Sequence, residues 1–590
     1  MIFGKTVNKY YLKYLHLFLA GIAFLVVIDY VQLEIPTLIG GLIDGVDKQT
    51  ITALDIKNII LQISLFVVII VIGRFFWRFF IFGASRRVDY GMRNELFEHS
   101  LKLSNNFYSK NKVGGLMAYF TNDIESVRRA IGPGMIMLVD ALFLGGLAFY
   151  KMFKLDVKLA FFSAIPLLFI ALLGSVLGNK MRKKFKEAQK AFEDLSDFTT
   201  ENLSGINVVK AFVKEQTEIK EFLKVNNVVK QKNIDYVKIQ SLLQITIRMV
   251  VSIIFVVILA YGGTLVSQTK LLPEAEQFTI GDLNTFIMYF STLIWPMMAL
   301  SMIINVRSRG KASLQRIDMI LNEKIDVYDN DVLEIDELQG KIEFRDLTFK
   351  YNDSIEPVLK NISFTINNGE TVGVLGRTGS GKTSILDLLL RIYNVGENQI
   401  YIDDVDIMKY PLKTIRSNIG YVPQDGFLFS NSIKYNIALG IKKDIDYTND
   451  VIEVAKLSDV HENIIDFTDG YDTIIGERGV TLSGGQRQRV AIARALIKDP
   501  AILILDDSVS AVDTKTEEKI LTNLNKMRKD KTTIIIAHRI STIKDANKII
   551  VIDEGKVIGV GTHNELLLSC EFYQDMVNRQ KLEDEIEVLS

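Results

Sequence analysis

The sequence is poor in cysteine and carries almost no net charge, and each absence excludes a class of protein. Its 590 residues include one cysteine, Cys570, so neither a disulfide framework nor a cysteine-based metal site can form within the chain. The net charge of −1 provides no overall field to attract nucleic acid, and no nucleic-acid partner is expected. Hydrophobic residues make up 48% of the chain, which is high for a soluble protein, and the length indicates at least two domains.

The first apolar stretch resembles a secretory signal in its charge pattern, because Lys5, Lys9 and Lys13 precede it. However, the apolar run continues beyond the length of a signal, contains Asp29 and has no small-residue cleavage site. We therefore interpret it as a membrane anchor that is retained.

Apolar stretches long enough to span a bilayer, about 20 residues as helices, recur up to about Arg309. Six are predicted, near Tyr14–Ile35, Lys57–Phe82, Gly132–Phe153, Lys158–Gly178, Ile245–Val266 and Leu283–Val306. The loops after the second and fourth spans are rich in lysine and arginine, and both are predicted to be helical continuations of the spans. The positive-inside rule then places these loops, the N-terminus and the C-terminal half in the cytoplasm of a multi-pass cell-membrane protein. Lys151 and Lys154, after the third span, disagree with this rule.

The pattern changes after Arg316 to short β-branched runs that alternate with helical segments. This alternation is typical of a soluble α/β domain with a partly parallel sheet. The predicted division is an α-helical membrane domain with six transmembrane helices over residues 1–320, a linker at 321–340 and an α/β domain over 341–590.

A phosphate-binding loop is predicted from Gly376 to Thr383, between the strand Thr371–Leu375 and a helical segment that begins at Ser384. Its glycines let backbone N–H groups surround phosphate oxygens, and Lys382 neutralises the β- and γ-phosphates. The Thr383 hydroxyl is suited to Mg²⁺. The residues predicted to bind nucleotide here are Gly376, Thr378, Gly379, Ser380, Gly381, Lys382, Thr383 and Ser384.

A second strand, Ala501–Leu505, ends in Asp506 and Asp507 and is typical of a Walker B strand. Asp506 is predicted to hold Mg²⁺ through water, and the next position normally orients the attacking water. Between the two strands lies Leu482–Gln486, with the sequence Leu-Ser-Gly-Gly-Gln, which resembles the signature of the ATP-binding-cassette (ABC) family.

Further elements of that family occur in the expected order. Tyr351 resembles the aromatic residue that stacks on adenine, and Gln424 the Q-loop residue that senses Mg²⁺ and the membrane domain. Ser510–Asp513 resembles the D-loop, and His538 the switch histidine that contacts the γ-phosphate. The resemblance spans nearly the whole chain and implies a type IV exporter half-transporter, with a P-loop ATPase domain of ABC type that uses ATP and Mg²⁺.

The family also implies a dimer, because each ATP lies between the phosphate loop of one domain and the signature of another. This chain contains one such domain, so a second half-transporter must be its partner. The implied binding residues for the partner's ATP are Ser483, Gly484, Gly485 and Gln486.

Asp507 departs from the family pattern, in which the residue after the Mg²⁺-binding aspartate is usually a glutamate that acts as base. Its carboxylate is one methylene shorter, and a displacement of about 1 Å at a reacting group can lower a rate about 100-fold. With an intact signature, this departure resembles the degenerate-site subunit of heterodimeric multidrug exporters. A conservative replacement in an active homodimer is the alternative, since either acid can act as base.

Two cytoplasmic segments, Phe107–Asp123 and Glu201–Glu215, resemble the coupling helices of type IV exporters, although ordinary helical-hairpin packing would also explain them. Thr473–Gly479, with Glu477, resembles the X-loop that contacts such helices and disfavours an importer of the usual kind.

Charged residues within or at the ends of the spans are candidates for a cavity lining, or alternatively for interhelical pairs or for side chains that snorkel to the membrane interface. They are Asp29, Glu34, Arg74, Arg78, Asp140 and Arg248. Aromatic and methionine residues of the sixth span could form an apolar wall for amphipathic cargo, or simply pack between helices. These are Phe286, Met288, Tyr289, Phe290, Trp295, Met297 and Met298.

The predicted function is ATP-driven export of amphipathic drugs or lipid-like compounds by one half of a heterodimer. A homodimeric exporter, a nucleotide-regulated sensor subunit and an importer built on the exporter fold remain alternatives. A peptide exporter with a fused cysteine protease is disfavoured, because Cys570 is the only cysteine.

Overall fold

The computed structural model describes residues 4–589 with gaps at 112, 271, 274–276, 442–446, 477–478, 480 and 509–511. The side chains of 113, 167–175, 301 and 583–589 are also outside the described set. The chain divides into two compact units: the first contains residues 1–100 and 114–322, and the second contains residues 101–113 and 323–590.

The described residues of the first unit form helices joined by short connections. In chain order, the helices up to residue 321 are α1 (Lys5–Lys13), α2 (Leu15–Asp47), α3 (Ala53–Lys102), α4 (Asn105–Lys110), α5 (Val113–Ala118), α6 (Ile124–Ile131), α7 (Pro133–Val139), α8 (Gly145–Leu155), α9 (Val157–Ser204), α10 (Ile206–Ala211), α11 (Glu215–Thr269) and α12 (Ile280–Leu321). Two π-helical turns, Tyr119–Asp123 and Asp140–Leu144, join α5 to α6 and α7 to α8. The third predicted span is therefore an interrupted helix. Of the helices in this list, the last two residues of α3, all of α4 and the first residue of α5 belong to the second unit.

Within the described residues, five helical stretches are long and apolar enough to cross a membrane: Leu15–Asp47, Ala53–Lys102, Gly114–Leu155, Glu215–Thr269 and Ile280–Leu321. They contain the first, second, third, fifth and sixth predicted spans. The fourth predicted span lies within α9, where the side chains of 167–175 are outside the described set. The count of six therefore stays a prediction.

Small residues allow the helices of the first unit to approach closely, as is common in membrane proteins. A Cβ atom added at Gly73 of α3 would lie 2.7 Å from the Ile28 side chain of α2. At the contact between α2 and α12, Asp44 accepts hydrogen bonds from the Gly281 N–H and the Thr279 hydroxyl, both at 2.7 Å. Close glycine contacts and a shared carboxylate thus fix these helix pairs.

The second unit is an α/β domain with two sheets. Its strands are β1 (Ile342–Phe349), β2 (Leu359–Ile366), β3 (Thr371–Leu375), β4 (Ile400–Ile402), β5 (Val405–Asp406), β6 (Ile419–Val422), β7 (Ile502–Asp506), β8 (Thr532–Ile536), β9 (Lys548–Asp553) and β10 (Lys556–Gly561). Its helices from residue 382 onward are α13 (Lys382–Leu389), α14 (Leu412–Asn418), α15 (Ile433–Ala438), α16 (Thr448–Leu457), α17 (His461–Ile465), α18 (Gly484–Leu496), α19 (Thr514–Met527), α20 (His563–Ser569) and α21 (Glu571–Leu589).

The larger sheet has the order β10-β9-β3-β8-β7-β6, and all its strands except β10 are parallel. The smaller sheet, β2-β1-β4-β5, is antiparallel. Strands β3, β7 and β8 are neighbours in register, with Val374 and Asp506 both opposite Ile536. Because parallel strands end at the same edge, the segments that follow these three strands lie side by side, where open α/β sheets bind ligands.

Residues 323–340 are held along the second unit by hydrogen bonds. The guanidinium of Arg391, whose side chain is 1% exposed, donates to the carbonyls of Tyr410 at 2.8 Å and Tyr328 at 3.1 Å. The Thr414 hydroxyl donates to the Ile335 carbonyl at 2.6 Å. The acidic stretch predicted as a linker is therefore packed against the domain that follows it.

Candidate functional site

The loop between β3 and α13 has the backbone of a phosphate-binding loop. Gly379 and Gly381 have φ values of 82° and 100°, in the left-handed region that favours glycine. A Cβ at Gly381 would lie 2.6 Å from the Leu359 side chain, so a larger residue does not fit there. The Ser380 Oγ is buried and has no hydrogen-bond partner in the described structure. An unpaired buried donor inside such a loop fits an anionic ligand.

Lys382 opens α13 and turns back over the loop. Its Nζ donates to the carbonyls of Gly376 at 2.7 Å and Arg377 at 2.9 Å. The helix begins after Gly381 without a side-chain cap, so its first N–H groups remain available to an anion. Burial lowers the pKa of the Lys382 ammonium, against the opposing charges of Asp506 and Asp507. The buried ammonium and uncapped N–H groups fit the phosphates of ATP.

Asp506, at the end of β7, lies beside the phosphate loop. Thr383 lies close enough to lower the pKa of its carboxyl group, and the Tyr421 Oη lies 3.5 Å from Oδ2. Burial raises the pKa of Asp506, and the neighbouring charge of Asp507 raises it further. A hydroxyl beside a carboxylate offers two oxygen ligands, which fits a Mg²⁺ ion that shares its coordination with phosphate and water.

Asp507 follows β7 in a constrained backbone conformation. Its φ is 47°, and its N–H donates to the Ile536 carbonyl at 3.0 Å. The Gln424 Nε2 lies 3.4 Å from its Oδ2, while the Gln424 carbonyl accepts a hydrogen bond from Gln488 at 3.2 Å. The structure therefore brings Gln424 and Asp507 together at the edge of the sheet, as their predicted roles require.

Tyr351 lies in an aromatic cluster next to the phosphate loop. Its Oη shares a 2.8 Å hydrogen bond with the Ser384 Oγ, and its ring meets those of Phe349 and Tyr393 edge to face at 4.9 and 5.2 Å. Ser384 is buried, and its hydroxyl is engaged by Tyr351 in this structure.

His538 follows β8 on the loop next to Asp507, with Ala537 donating to the Val374 carbonyl at 3.3 Å. This loop continues the same edge of the sheet as the phosphate loop and the Walker B strand. The side-chain amide of Gln580, in α21, contacts the backbone on both sides of Arg539.

The signature residues form the N-terminus of α18. The Ser483 Oγ accepts from the Gln486 N–H at 3.2 Å, and the Gln486 Oε1 accepts from the Ser483 N–H at 2.9 Å, which is a capping box. Gly484 and Gly485 complete the first turn. Among the described residues, no hydrogen bond joins this segment to the phosphate loop at 376–383. The two predicted halves of an ATP site are therefore separate within one chain.

Some predicted residues lie outside the described set, namely Glu477 of the X-loop segment and Ser510 and Ala511 of the D-loop. Val512 is buried, and Asp513 caps α19 by accepting the Thr516 N–H at 3.0 Å. Four residues near the site were not predicted: Asp387, Tyr393, Gln488 and Gln580. For Gln488 a signal exists, since it lies four residues after Gly484 and thus on the same face of α18.

The first predicted coupling segment is divided between the two units, and residues 101–113 belong to the second. Asn105 donates to the Tyr393 Oη at 2.6 Å, Asn106 donates to Asp326 at 2.9 Å, and the Lys110 Nζ lies 3.0 Å from the carboxylate of Asp353. Tyr393 thus contacts both this segment and Tyr351.

The second predicted coupling segment contains α10 and ends in exposed apolar residues. Phe212 and Val213 are 70% and 81% exposed, and Val213 has a φ of 52°. A β-branched residue rarely adopts this conformation, so the segment forms a sharply turned apolar tip.

The charged residues of the spans divide into paired, buried and exposed groups. The Lys151 Nζ donates to Glu34 at 2.9 Å and to the Leu33 carbonyl at 3.1 Å. Asp29 and Asp140 are buried, and Asp140 accepts a 2.8 Å hydrogen bond from Trp295. Arg74, Arg78 and Arg248 are exposed in the single chain.

The predicted apolar wall of the sixth span is mainly a packing surface. Phe286, Tyr289 and Phe290 are at most 2% exposed and belong to a hydrophobic cluster with residues of α2, α8, α9 and α11. Trp295 and Met298 are 45% and 48% exposed. Interhelical packing therefore explains the first part of the stripe, and only its later part is accessible.

Comparison with known proteins agrees with this architecture. Residues 18–297 match the family described as the ABC transporter transmembrane region, and residues 359–510 match the ABC transporter family. The chain is 38% identical to the probable multidrug resistance ABC transporter ATP-binding/permease protein YheI of Bacillus subtilis, over 98% of this chain and 97% of YheI. It is 36% identical to the multidrug resistance-like ATP-binding protein MdlA of Escherichia coli, over 96% of this chain and 94% of MdlA.

Among solved structures, a bacterial Atm1-family ABC exporter with ATP bound superposes with a TM-score of 0.73 and 25% identity, covering 97% of this chain and 98% of that one. The two chains share one fold, a helical membrane region followed by an ATP-binding domain. ABC exporters of this kind work as dimers, either with another half-transporter or with a second copy. The chain is therefore a multi-pass membrane protein and an ATPase coupled to transport, and it belongs to the ABC transporter family as a multidrug-type exporter with fused membrane and ATP-binding regions.

Proposed function

We propose that this chain is one half of a heterodimeric exporter of amphipathic drugs or lipid-like compounds, and that its own ATP site hydrolyses slowly. The observation that carries the proposal is Asp507, a short carboxylate on a backbone fixed by its hydrogen bond to Ile536. Because this backbone is fixed, it cannot move to compensate for the missing methylene. The Asp507 carboxylate therefore lies farther from the attacking water than a glutamate carboxylate would.

At this chain's phosphate loop, nucleotide binding and hydrolysis draw on different residues. Lys382 and the N–H groups of α13 would neutralise the phosphates, and Thr383, Asp506 and Gln424 would hold Mg²⁺, which would offset negative charge in the transition state. Among these residues, Gln424 lies 3.4 Å from Asp507, whereas the Lys382 ammonium is held by the carbonyls of Gly376 and Arg377. We therefore expect tight binding and slow turnover at this site.

The signature serves the other site of the dimer. Its capping box fixes the N-terminus of α18, whose first N–H groups point to where an anion can bind. The γ-phosphate bound by the partner's phosphate loop is the ligand we propose for Ser483, Gly484, Gly485 and Gln486. A pair of this kind has one slow site and one fast site.

Coupling to the membrane region is proposed to run through two surfaces. Asn105 and Tyr393 connect the first coupling segment to Tyr351 and hence to the adenine end of the site. In the second unit, Phe427, Phe429 and Ile474 are 46%, 46% and 72% exposed and form an apolar surface beside the Q-loop. This surface suits the apolar tip of a coupling segment supplied by the other subunit.

The N-terminus and the ATP-binding region are proposed to lie on the cytoplasmic side of the cell membrane. The one contrary signal was the pair Lys151 and Lys154. Lys151 forms an ion pair with Glu34 in the folded bundle, and these two lysines are outnumbered by the lysines and arginines of the loops after the second and fourth spans. The lysine- and arginine-rich loops then determine the topology.

The test is to purify the chain alone and together with a candidate partner that carries glutamate after its Walker B aspartate. We expect slow ATP hydrolysis by the chain alone and fast, cargo-stimulated hydrolysis by the pair. Fast cargo-stimulated hydrolysis by the chain alone would establish the homodimer instead. A pair that hydrolyses ATP without cargo stimulation or vesicle accumulation would indicate a sensor subunit.

A further inference from the structure

The C-terminal helix α21 contacts the loop that carries His538 through a single side chain. The Gln580 Oε1 accepts a hydrogen bond from the Ile540 N–H at 2.7 Å, and its Nε2 donates to the His538 carbonyl at 2.5 Å. Both partners are backbone groups in an irregular segment directly after β8. One amide therefore bridges the two peptide groups that flank Arg539.

These two backbone groups lie beyond the end of β8, where the sheet no longer provides hydrogen-bond partners, so a side-chain partner stabilises them. Ala537 makes the last hydrogen bond to β3, and the turn that follows begins with Ile543 donating to Ile540. Ile540 is 6% exposed, so its N–H has little access to water and would be left unpaired if Gln580 were replaced by an apolar side chain. Leaving a buried N–H unpaired is costly, and the loop would rearrange to avoid that cost.

The part of α21 that precedes Gln580 is packed firmly against the domain. Tyr573 and Val577 of α21 are buried in the same cluster as Ile535 and Ile543. The Tyr573 Oη also shares a 2.7 Å hydrogen bond with the His563 ring. At the start of the helix, the Arg377 guanidinium lies 5.1 Å from the centre of the Phe572 ring, which connects α21 to the phosphate loop as well. The helix thus contacts both loops that are predicted to face the terminal phosphate.

We propose that Gln580 is a positioning residue for His538, which holds the histidine loop at the γ-phosphate end of the ATP site. This inference rests on the proposed role of His538 at the γ-phosphate. The side-chain amide of Gln580 contacts two backbone groups of this loop. Its effect should therefore depend on the presence of the γ-phosphate and should pass through His538.

The experiment uses the assembled transporter and photolabelling of this chain by a photoreactive ATP analogue. Competition by a non-hydrolysable ATP analogue and by ADP reports binding at this chain's site alone. The Q580L variant keeps the bulk of the side chain and loses both hydrogen bonds. N578A, at an exposed position of the same helix, is the matched control. We expect Q580L to weaken competition by the ATP analogue about fivefold, as for the loss of about one net hydrogen bond. Competition by ADP, and both values in N578A, should be unchanged.

A double-mutant cycle separates this inference from the role on which it rests. If Gln580 acts through His538, the H538A and H538A/Q580L variants should bind the ATP analogue equally. Additive losses, or equal losses for ATP analogue and ADP with a lower Tm, would show that Gln580 merely stabilises the domain. If H538A itself leaves ATP binding unchanged, the proposed role of His538 fails, and the inference fails with it.

The Q580E variant covers the case in which Q580L does not fold. Its carboxylate can accept from the Ile540 N–H but cannot donate to the His538 carbonyl. We expect a loss of affinity for the ATP analogue with no loss for ADP. Retention of wild-type discrimination between the two nucleotides by Q580E would overturn the inference.

Discussion

Replacement of Asp507 by glutamate should convert a slow ATP site into a faster one. The Asp507 backbone is held by its hydrogen bond to Ile536 at 3.0 Å, so the added methylene moves the carboxylate outward rather than displacing the loop. One carbon–carbon bond contributes about 1.5 Å of reach. Since a misplacement of about 1 Å can cost about 100-fold in rate, we expect D507E to raise hydrolysis by the purified chain between about 10- and 100-fold.

The assay is steady-state phosphate release by the purified chain in lipid nanodiscs, with K382A as the background. D507N is the matched control, because it keeps the size of aspartate and removes the base. The left-handed φ of 47° suits aspartate better than glutamate, so D507E should also lower the free energy of unfolding by about 1 kcal/mol. A lower Tm would show this loss.

The reasoning would be refuted by a D507E chain that folds, binds ATP as before and hydrolyses it no faster than the wild type. Fast wild-type hydrolysis that D507N abolishes would refute it equally, since aspartate would then be an adequate base.

Three further substitutions test other parts of the molecule. Y393F removes the hydroxyl that accepts the hydrogen bond from Asn105. Because the coupling between the two segments then loses about one hydrogen bond, Y393F should lower cargo-stimulated ATP hydrolysis about fivefold and leave basal hydrolysis unchanged. N105A should have the same effect. K151M leaves the Glu34 carboxylate unpaired in a partly buried site and should destabilise the protein in detergent by about 2–3 kcal/mol, most of which E34Q/K151M should recover. Burial, together with the nearby charge of Asp506, raises the pKa of Asp387 to about 6. Between about pH 4 and pH 6 the folded state therefore keeps a proton that the unfolded state has lost, so the stability of the folded state falls as the pH rises through this range. In thermal melts, D387N should make the stability less dependent on pH over the same range.

The parts of the site that follow sequence order were predictable. A strand, a glycine-rich loop and a helix are consecutive, and parallel strands bring their ends to one edge, so Lys382 and Asp506 could be placed together. The capping box of Ser483 and Gln486 is likewise a local pattern, with its two residues three positions apart.

Contacts between remote segments were not predictable from the sequence. Asn105 and Tyr393 are 288 residues apart, and Gln580 and His538 are 42 apart, so no local periodicity connects them. For the stripe of the sixth span, the sequence left two alternatives open, a cavity wall and interhelical packing. Aromatic residues at helical spacing look alike whether they line a cavity or pack, and only the neighbouring helices show that Phe286 and Phe290 are core residues.

The buried Arg391 determines where the ATP-binding region can be cut for expression on its own. A fragment that begins at residue 341 would lack two backbone acceptors. The Tyr328 carbonyl accepts a hydrogen bond from the Arg391 guanidinium, and the Ile335 carbonyl accepts one from the Thr414 hydroxyl. It would also expose the apolar surface that residues 323–340 cover. A fragment that begins at Glu323 and ends after α21 keeps these acceptors and the helix that reaches His538, and it is the better choice for nucleotide-binding or crystallisation work.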